Sequence, residues 1–238
     1  MSVAALVLAA GSGERLGHHL PKAFVQIGGK PLVLYSLETL ASVREIDCVV
    51  PVLAVPDLDR FRALGPALAD IPKLAEPVAG GARRQDSVRA GLAALPAEVS
   101  WVAVHDAARP LVRPQAVARV VAAARRDGAA ILAAPVADTV KRVREGRVIE
   151  TPDRAECWAA QTPQVFRVDL LREALAKADA EGRLATDDAQ LVEWLGVPVS
   201  VVAGDSDNRK VTYAEDLAAV ERALCGAAQP ADGERSRG

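Results

Sequence analysis

Five short apolar runs, Val3–Ala9, Cys48–Val55, Trp101–His105, Ala130–Pro135 and Val199–Val202, recur along the chain with helical patterns between them. They are rich in Val, Ile, Leu and Ala and almost unbroken by polar residues, as strands covered on both faces must be. Helices are expected near residues 32–42, 58–69, 87–95, 114–126, 169–180, 187–195 and 213–224. The last carries its own start signal, Thr212 followed by Glu215 as a capping box, with Leu217, Val220 and Leu224 on one apolar face. Such alternation confines the chain to an α/β fold: a mostly parallel twisted sheet, helices on both faces and right-handed crossovers. The 47 alanines among 238 residues suit close packing of helix on sheet.

Residues 136–153 (VADTVKRVREGRVIETPD) break the pattern, being charged, β-branched and centred on Glu145-Gly146. They predict a hairpin too polar for the sheet interior, either a solvated surface feature or a protruding β-arm that grips a partner subunit. No repeat or long linker divides the chain, so residues 1–225 are expected to form one domain. The small, polar residues 226–238 are expected to be a disordered tail.

Composition narrows the function. Lys and Arg number 29 against 31 Asp and Glu, a formal net charge of −2, so no global basic field draws nucleic acid. Eight aromatic residues are too few for a run of base-stacking platforms. The longest stretch without a charged side chain, residues 1–13, falls short of the roughly 17 that a membrane span needs, and no basic residue precedes it as in a signal peptide. Cys48, Cys157 and Cys225 are odd in number and widely spaced, which favours a reducing, cytoplasmic compartment over a disulfide or metal framework. A soluble enzyme without nucleic-acid or membrane partners is the expectation.

Four polar segments leave strand ends, where open α/β sheets bind ligands. The first strand runs into Ala9-Ala10-Gly11-Ser12-Gly13-Glu14-Arg15-Leu16-Gly17, a glycine turn that lets backbone approach an anion. Leu16 stands where a dinucleotide fingerprint needs glycine, and the only Gly-Lys pair is followed by Pro31, so neither that fingerprint nor a Walker loop is present. Arg15 and Lys22 nearby suit a polyphosphate. In the second segment, Gly80-Gly81-Ala82-Arg83-Arg84-Gln85-Asp86-Ser87, the glycines bend the chain. There Ser87 either caps the next helix or joins Arg84 in offering donors to a base. The third, Val104-His105-Asp106-Ala107-Ala108-Arg109, puts a carboxylate and a guanidinium at a strand end. They either pair with each other or serve a substrate, Asp106 through hydroxyls or a hydrated Mg²⁺, while His105 reads as a packed strand-end residue. The fourth, Asn208-Arg209-Lys210-Val211-Thr212, brings a late lysine to the same rim. Asp205-Ser206-Asp207 reads as turn chemistry or as a metal–nucleotide motif, and Thr186-Asp187-Asp188 as an N-cap with acids in the first turn.

In this order and spacing, LAAGSGERLG, PKAF, GGARRQDSV, VHDAARP, APVADTVKR, Thr162-Pro163-Gln164, TDDA and DNRKVT resemble the 2-C-methyl-D-erythritol 4-phosphate cytidylyltransferases of the non-mevalonate isoprenoid pathway, over residues 6 to 212. The resemblance implies a Rossmann-like nucleotidyltransferase fold and a homodimer linked by β-arms. The implied reaction converts CTP and methylerythritol 4-phosphate, with Mg²⁺ or another divalent cation, to diphosphocytidyl-methylerythritol and pyrophosphate. It places Arg15, Lys22 and Lys210 as the catalytic cations on the CTP phosphates, and Ala9, Ala10, Gly11, Gly81, Ser87 and Asp106 along the nucleotide. Asp106, Arg109, Thr139, Arg154 and Thr162 fall around the methylerythritol phosphate, with Thr139 and Arg154 coming from the neighbouring subunit. The metal would be held mainly by the CTP phosphates, with Asp106 as the candidate protein ligand. Rival readings are a relative that forms CDP-ribitol, a metal-dependent glycosyltransferase built on Asp205 and Asp207, and a non-catalytic nucleotide-binding module. Because the chain ends soon after the last helix, a single activity is expected.

Overall fold

The computed structural model describes residues 1–11, 13, 16 and 20–226. The strands are β1 (Ser2–Ala9), β2 (Gln26–Ile27), β3 (Lys30–Pro31), β4 (Cys48–Leu53), β5 (Val78–Ala79), β6 (Val99–Asp106), β7 (Ala129–Pro135), β8 (Arg142–Arg144), β9 (Arg147–Glu150), β10 (Trp158–Arg167) and β11 (Ser200–Ala203). The helices are α1 (Leu32–Ser42), α2 (Leu58–Arg62), α3 (Pro66–Ala69), α4 (Arg84–Ala93), α5 (Pro114–Asp127), α6 (Val168–Ala180), α7 (Asp188–Glu193) and α8 (Ala214–Gly226). Seven strands form the main sheet in the order β11-β7-β10-β6-β1-β4-β5, and only β10 runs antiparallel to its neighbours.

Alternate residues of β1 enter two different cores. Val3, Ala5, Val7 and Ala9 pack with Leu37 and Leu40 of α1 and Val117 and Val120 of α5, while Ala4 and Leu6 pack with Leu92 of α4 and Leu171 of α6. Both sheet faces are therefore sealed, which is why the strands read as continuous apolar runs. Each fully buried Leu among these contributes about 1.5–3 kcal/mol. A third cluster, Leu16, Val25, Ile27, Leu32, Val211 and Val220, seats α8 against the β2–β3 hairpin. Among the described residues no helix is long and apolar enough to cross a membrane.

The ten-residue β10 is absent from the sequence reading because its run WAAQTPQVFR holds Gln161, Thr162, Pro163 and Gln164 mid-strand, and an internal proline argues against a central strand. The strand tolerates them through a register shift between Ala160 and Gln164 and because each buried polar side chain is hydrogen-bonded to protein. The 58–69 helix is two short helices broken at Gly65. The capping box expected from Thr212 and Glu215 does not form. Asp216 instead accepts the backbone N–H groups of Thr212 and Tyr213, both at 2.9 Å, because α8 starts later than the pattern suggested. Residues 142–150 do form a separate hairpin, with Glu145 and Gly146 at φ 50° and 75° as a two-residue type I′ turn requires. The 227–238 part of the expected tail lies outside the described residues.

Candidate active site

The carboxyl ends of β1 and β6 meet the loop after β11 around a cavity of about 460 Å³, ordinary for a small-molecule site. Ala9, Ala10, Gly11, Lys22, Gly81, Arg84, Ser87, Asp106 and Lys210 line it, so most of the residues expected along the nucleotide converge. Arg15 lies outside the described residues.

The Gly80–Ser87 segment forms one wall. Helix α4 begins at Arg84, earlier than the sequence suggested, so Ser87 sits within its first turn and does not cap it. Arg83 is the N-cap residue, and the Asp86 carboxylate, three residues on, accepts its backbone N–H at 3.2 Å. The Ser87 hydroxyl accepts the Gly81 N–H at 3.2 Å and thereby fixes the glycine turn. A Cβ on Gly80 would stand 2.9 Å from the Ala10 Cβ and 2.8 Å from the Ser87 Oγ, so only glycine lets this loop close on the end of β1.

The opposite wall is charged. Asp106, 8% exposed, receives Lys210 Nζ at 2.7 Å and Arg84 Nε at 3.3 Å on its two oxygens. Burial acts to raise its pKa, but Arg84 and then Lys210 outweigh it and hold the carboxyl well below the usual range. Arg84 continues to Asp188, wholly buried, at 2.7 Å. Burial pushes Asp188 up, and Arg84 offsets this only in part. Lys22 Nζ donates to the carbonyl of Val211 at 3.2 Å, which brings it beside Lys210 although the two come from opposite ends of the chain.

Asp106 and Arg109 do not pair directly. Arg109 donates to the carbonyls of Asn208 at 2.7 Å and Ala160 at 3.1 Å, and burial lowers its pKa. Thr162 is 4% exposed, with its hydroxyl turned toward His105 and the Asp106 backbone. Arg109 and Thr162 are not among the residues lining this cavity, and neither are Thr139 and Arg154. The last two lie on the segments flanking the hairpin, where Arg154 donates to the Ala137 carbonyl at 3.0 Å. Asp205 and Asp207 sit on the loop after β11, 3.6 and 3.9 Å from Arg113, and neither lines the cavity.

His105 is the packed residue that the sequence indicated, wholly inaccessible, its pKa lowered to about 4 by burial despite Asp106 nearby. The folded state thus resists a proton that the unfolded chain takes up below about pH 6.5. As pH falls from 6.5 toward 4 the unfolded state binds more protons, and stability declines by roughly 3 kcal/mol from this group. Asp188 titrates with the opposite sign but is common to native protein and variant. Urea unfolding from pH 7 to pH 4 should therefore show His105→Gln losing less stability than the native chain; parallel curves would contradict the assignment.

Comparison with known proteins gives the family. The family model described as IspD, 2-C-methyl-D-erythritol 4-phosphate cytidylyltransferase, matches residues 3–225. The chain belongs to that family. Its relatives include the cytidylyltransferases of Pelotomaculum thermopropionicum, 44% identical over 93% of this chain and 94% of that protein, and of Chromobacterium violaceum, 47% identical over 90% and 94%. The 4-diphosphocytidyl-2C-methyl-D-erythritol synthase of Anaerococcus prevotii superposes with a TM-score of 0.84 at 30% identity, covering 94% of this chain and 96% of its own.

For a cytidylyltransferase of this family, the metal question turns on donors. Asp106 is the only carboxylate among the described lining residues, and both its oxygens are engaged by cations. No group of three acidic, His or Cys side chains suited to a metal occurs among the described residues. Magnesium commonly keeps waters and binds through a carboxylate and substrate phosphates, so this donor set fits a metal carried by the nucleotide, not a protein cage. Sequence reasoning missed Asp188, Gln161, Gln164 and Asn208. Asp188 holds Arg84, Gln164 accepts the first N–H groups of α7 at 3.0 Å, and Gln161 with Asn208 ties the Lys210 loop to β10. Polar residues interrupting a buried strand were the available signal for Gln161 and Gln164.

Proposed function

We propose that the cavity is where this chain runs its family's reaction, transfer of the cytidylyl group of CTP to 2-C-methyl-D-erythritol 4-phosphate with release of pyrophosphate. The observation that carries the reading is that Lys22 and Lys210, distant in the chain, line one cavity at the rim where β1 and β6 end. In this reading the base lies against the Gly80–Ser87 wall, the triphosphate runs along Gly11 toward Lys22, and Lys210 faces the α-phosphate.

A phosphate oxygen of the substrate attacks the α-phosphorus, and the bond to the β-phosphate oxygen breaks. The substrate phosphate is already ionised at neutral pH, its second pKa being about 6, so no general base is needed. That accounts for a histidine held neutral and buried away from the cavity. Two anions must be brought together, so the work is positioning and charge neutralisation. Holding both in line lowers the barrier by about 7–11 kcal/mol. Asp106 keeps the Lys210 ammonium oriented, and Arg84 and Asp188 keep Asp106 in place. Mg²⁺ on the CTP phosphates would add neutralising charge there.

In this reading the substrate lies at the Asp106 end of the cavity, and Arg109, beyond the lining, would complete its site together with Thr139 and Arg154 of a partner subunit. The hairpin supports such a dimer, since Val143, Val148 and Ile149 are exposed on it. Free thiols at Cys48 and Cys157 and phosphorylated substrates suit the cytoplasm.

Pyrophosphate release from CTP should require methylerythritol 4-phosphate, and equal turnover with ribitol 5-phosphate would overturn the substrate assignment. Mixing Arg154→Ala subunits with Lys210→Ala subunits should restore part of the lost activity by forming one intact site per heterodimer. Absence of rescue in a verified heterodimer would refute the action of Arg154 across subunits.

A further inference from the structure

The stretch that carries Lys210 leaves the sheet where β11 ends, with the Gly204 N–H donating to the Ala133 carbonyl at 2.8 Å. It is tied again at Val211, whose N–H donates to the Ala108 carbonyl at 2.8 Å. Between these points two buried amides hold it to the middle of β10. Gln161 Nε2 donates to the Asp205 carbonyl at 2.9 Å, and Asn208 Nδ2 donates to Gln161 Oε1 at 3.0 Å and to the main-chain carbonyl of Thr162 at 3.1 Å. Main-chain carbonyls only accept, so the sense of each amide is fixed. The Gln161 NH₂ must face Asp205, which leaves its oxygen for the Asn208 NH₂. Gln161 is 5% and Asn208 2% exposed, so water does not compete for these bonds. Apolar packing such as that of Val211 has no direction, whereas this relay sets distance and angle two residues before Lys210. Gly204 leaves room for it, because a Cβ there would collide with Gln161 Oε1.

We propose that Asn208 and Gln161 are positioning residues that set where the Lys210 ammonium stands, and that Gly204 keeps the space their relay needs. This rests on the reading that Lys210 faces the α-phosphate; none of the three lines the cavity. Residues that act through Lys210 matter to the rate only while the lysine is present, whereas residues that merely close a loop would cost the same with or without it.

The test is a double-mutant cycle in steady-state kinetics, with circular dichroism as the folding control. Asn208→Ala should lower kcat by about 10²-fold, the effect of a misplacement near 1 Å, with the KM for CTP within about threefold of native. Gly204→Ala removes no polar group, and its backbone lies outside the left-handed region. It should lower kcat about tenfold by displacing the Gln161 amide alone. Placed in Lys210→Ala, each substitution should cost less than about a further threefold. Losses that multiply in the double variants, an effect confined to the KM for CTP, or native kinetics in either single variant would each overturn the proposal. Should Asn208→Ala not fold, Gly204→Ala and its double variant decide it, since the atom displaced is the end of a flexible side chain. Near-native turnover in Lys210→Ala alone would remove the catalytic reading and the proposal with it; multiplied losses beside an impaired Lys210→Ala would overturn the proposal alone.

Discussion

Lys210→Ala is expected to lower kcat by about 10²–10³-fold, or roughly 3–4 kcal/mol of transition-state stabilisation, the scale of losing one oriented donor to a developing negative charge. The loss should fall on kcat more than on the KM for CTP, because the α-phosphate gains its extra charge only as the new bond forms. The fold should survive. The Lys210 side chain is 39% exposed, and Asp106 still has Arg84 within 3.3 Å when the lysine is gone. Lys22→Ala should behave similarly, since its ammonium reaches the same rim from the other end of the chain. Lys210→Arg should not restore the rate, because a planar, forked guanidinium cannot reproduce a compact ammonium held at 2.7 Å from Asp106. Steady-state kinetics with circular dichroism as the folding control would check both; near-native turnover in either alanine variant would refute its role.

The largest stability effect should come from Arg84. Its guanidinium joins two buried carboxylates, Asp188 at 2.7 Å and Asp106 at 3.3 Å, and those partners raise its pKa against the opposing effect of burial. Removing one partner of a buried ion pair typically costs about 3–5 kcal/mol, because the other charge is left without compensation. Arg84→Ala should therefore lower the unfolding free energy by that amount. Asp188 would be the chief source, being wholly buried and already raised in pKa by burial. Adding Asp188→Asn to Arg84→Ala should recover a good part of the loss, whereas Asp188→Asn alone should destabilise. Urea unfolding of the four proteins gives the coupling directly, and strictly additive losses would show that the pair is not an energetic unit.

How far the sequence could be read depends on whether a feature is local. The strands of the parallel sheet announce themselves because two-sided burial leaves unbroken apolar runs, as in Val3–Val7. The type I′ hairpin at Glu145-Gly146 and the cation at Lys22 beside the glycine turn are likewise local. β10 is not, because Gln161, Thr162 and Gln164 are polar for reasons that lie in distant loops. Ser87 had the chemistry of a cap, yet Asp86 and Arg83 take that role and leave Ser87 to pin Gly81. Asp188 shows the same limit. In sequence it is an acid in a helical first turn, a sufficient explanation by itself, and only the fold reveals the guanidinium that it faces. Convergence of Lys22, Asp106 and Lys210 follows no local rule; strand ends on one rim pointed to it, and only the resemblance supplied the role of each residue.

The central claim is that residues from β1, the Gly80–Ser87 loop, β6 and the loop after β11 form one cradle for CTP. A crystal structure of the enzyme with CTP and Mg²⁺ tests it most directly. The account predicts the base against Gly81 and Ser87, the triphosphate beside Gly11 and Lys22, and the α-phosphate within hydrogen-bonding reach of Lys210. A nucleotide bound elsewhere, or an α-phosphate turned away from Lys210, would contradict it.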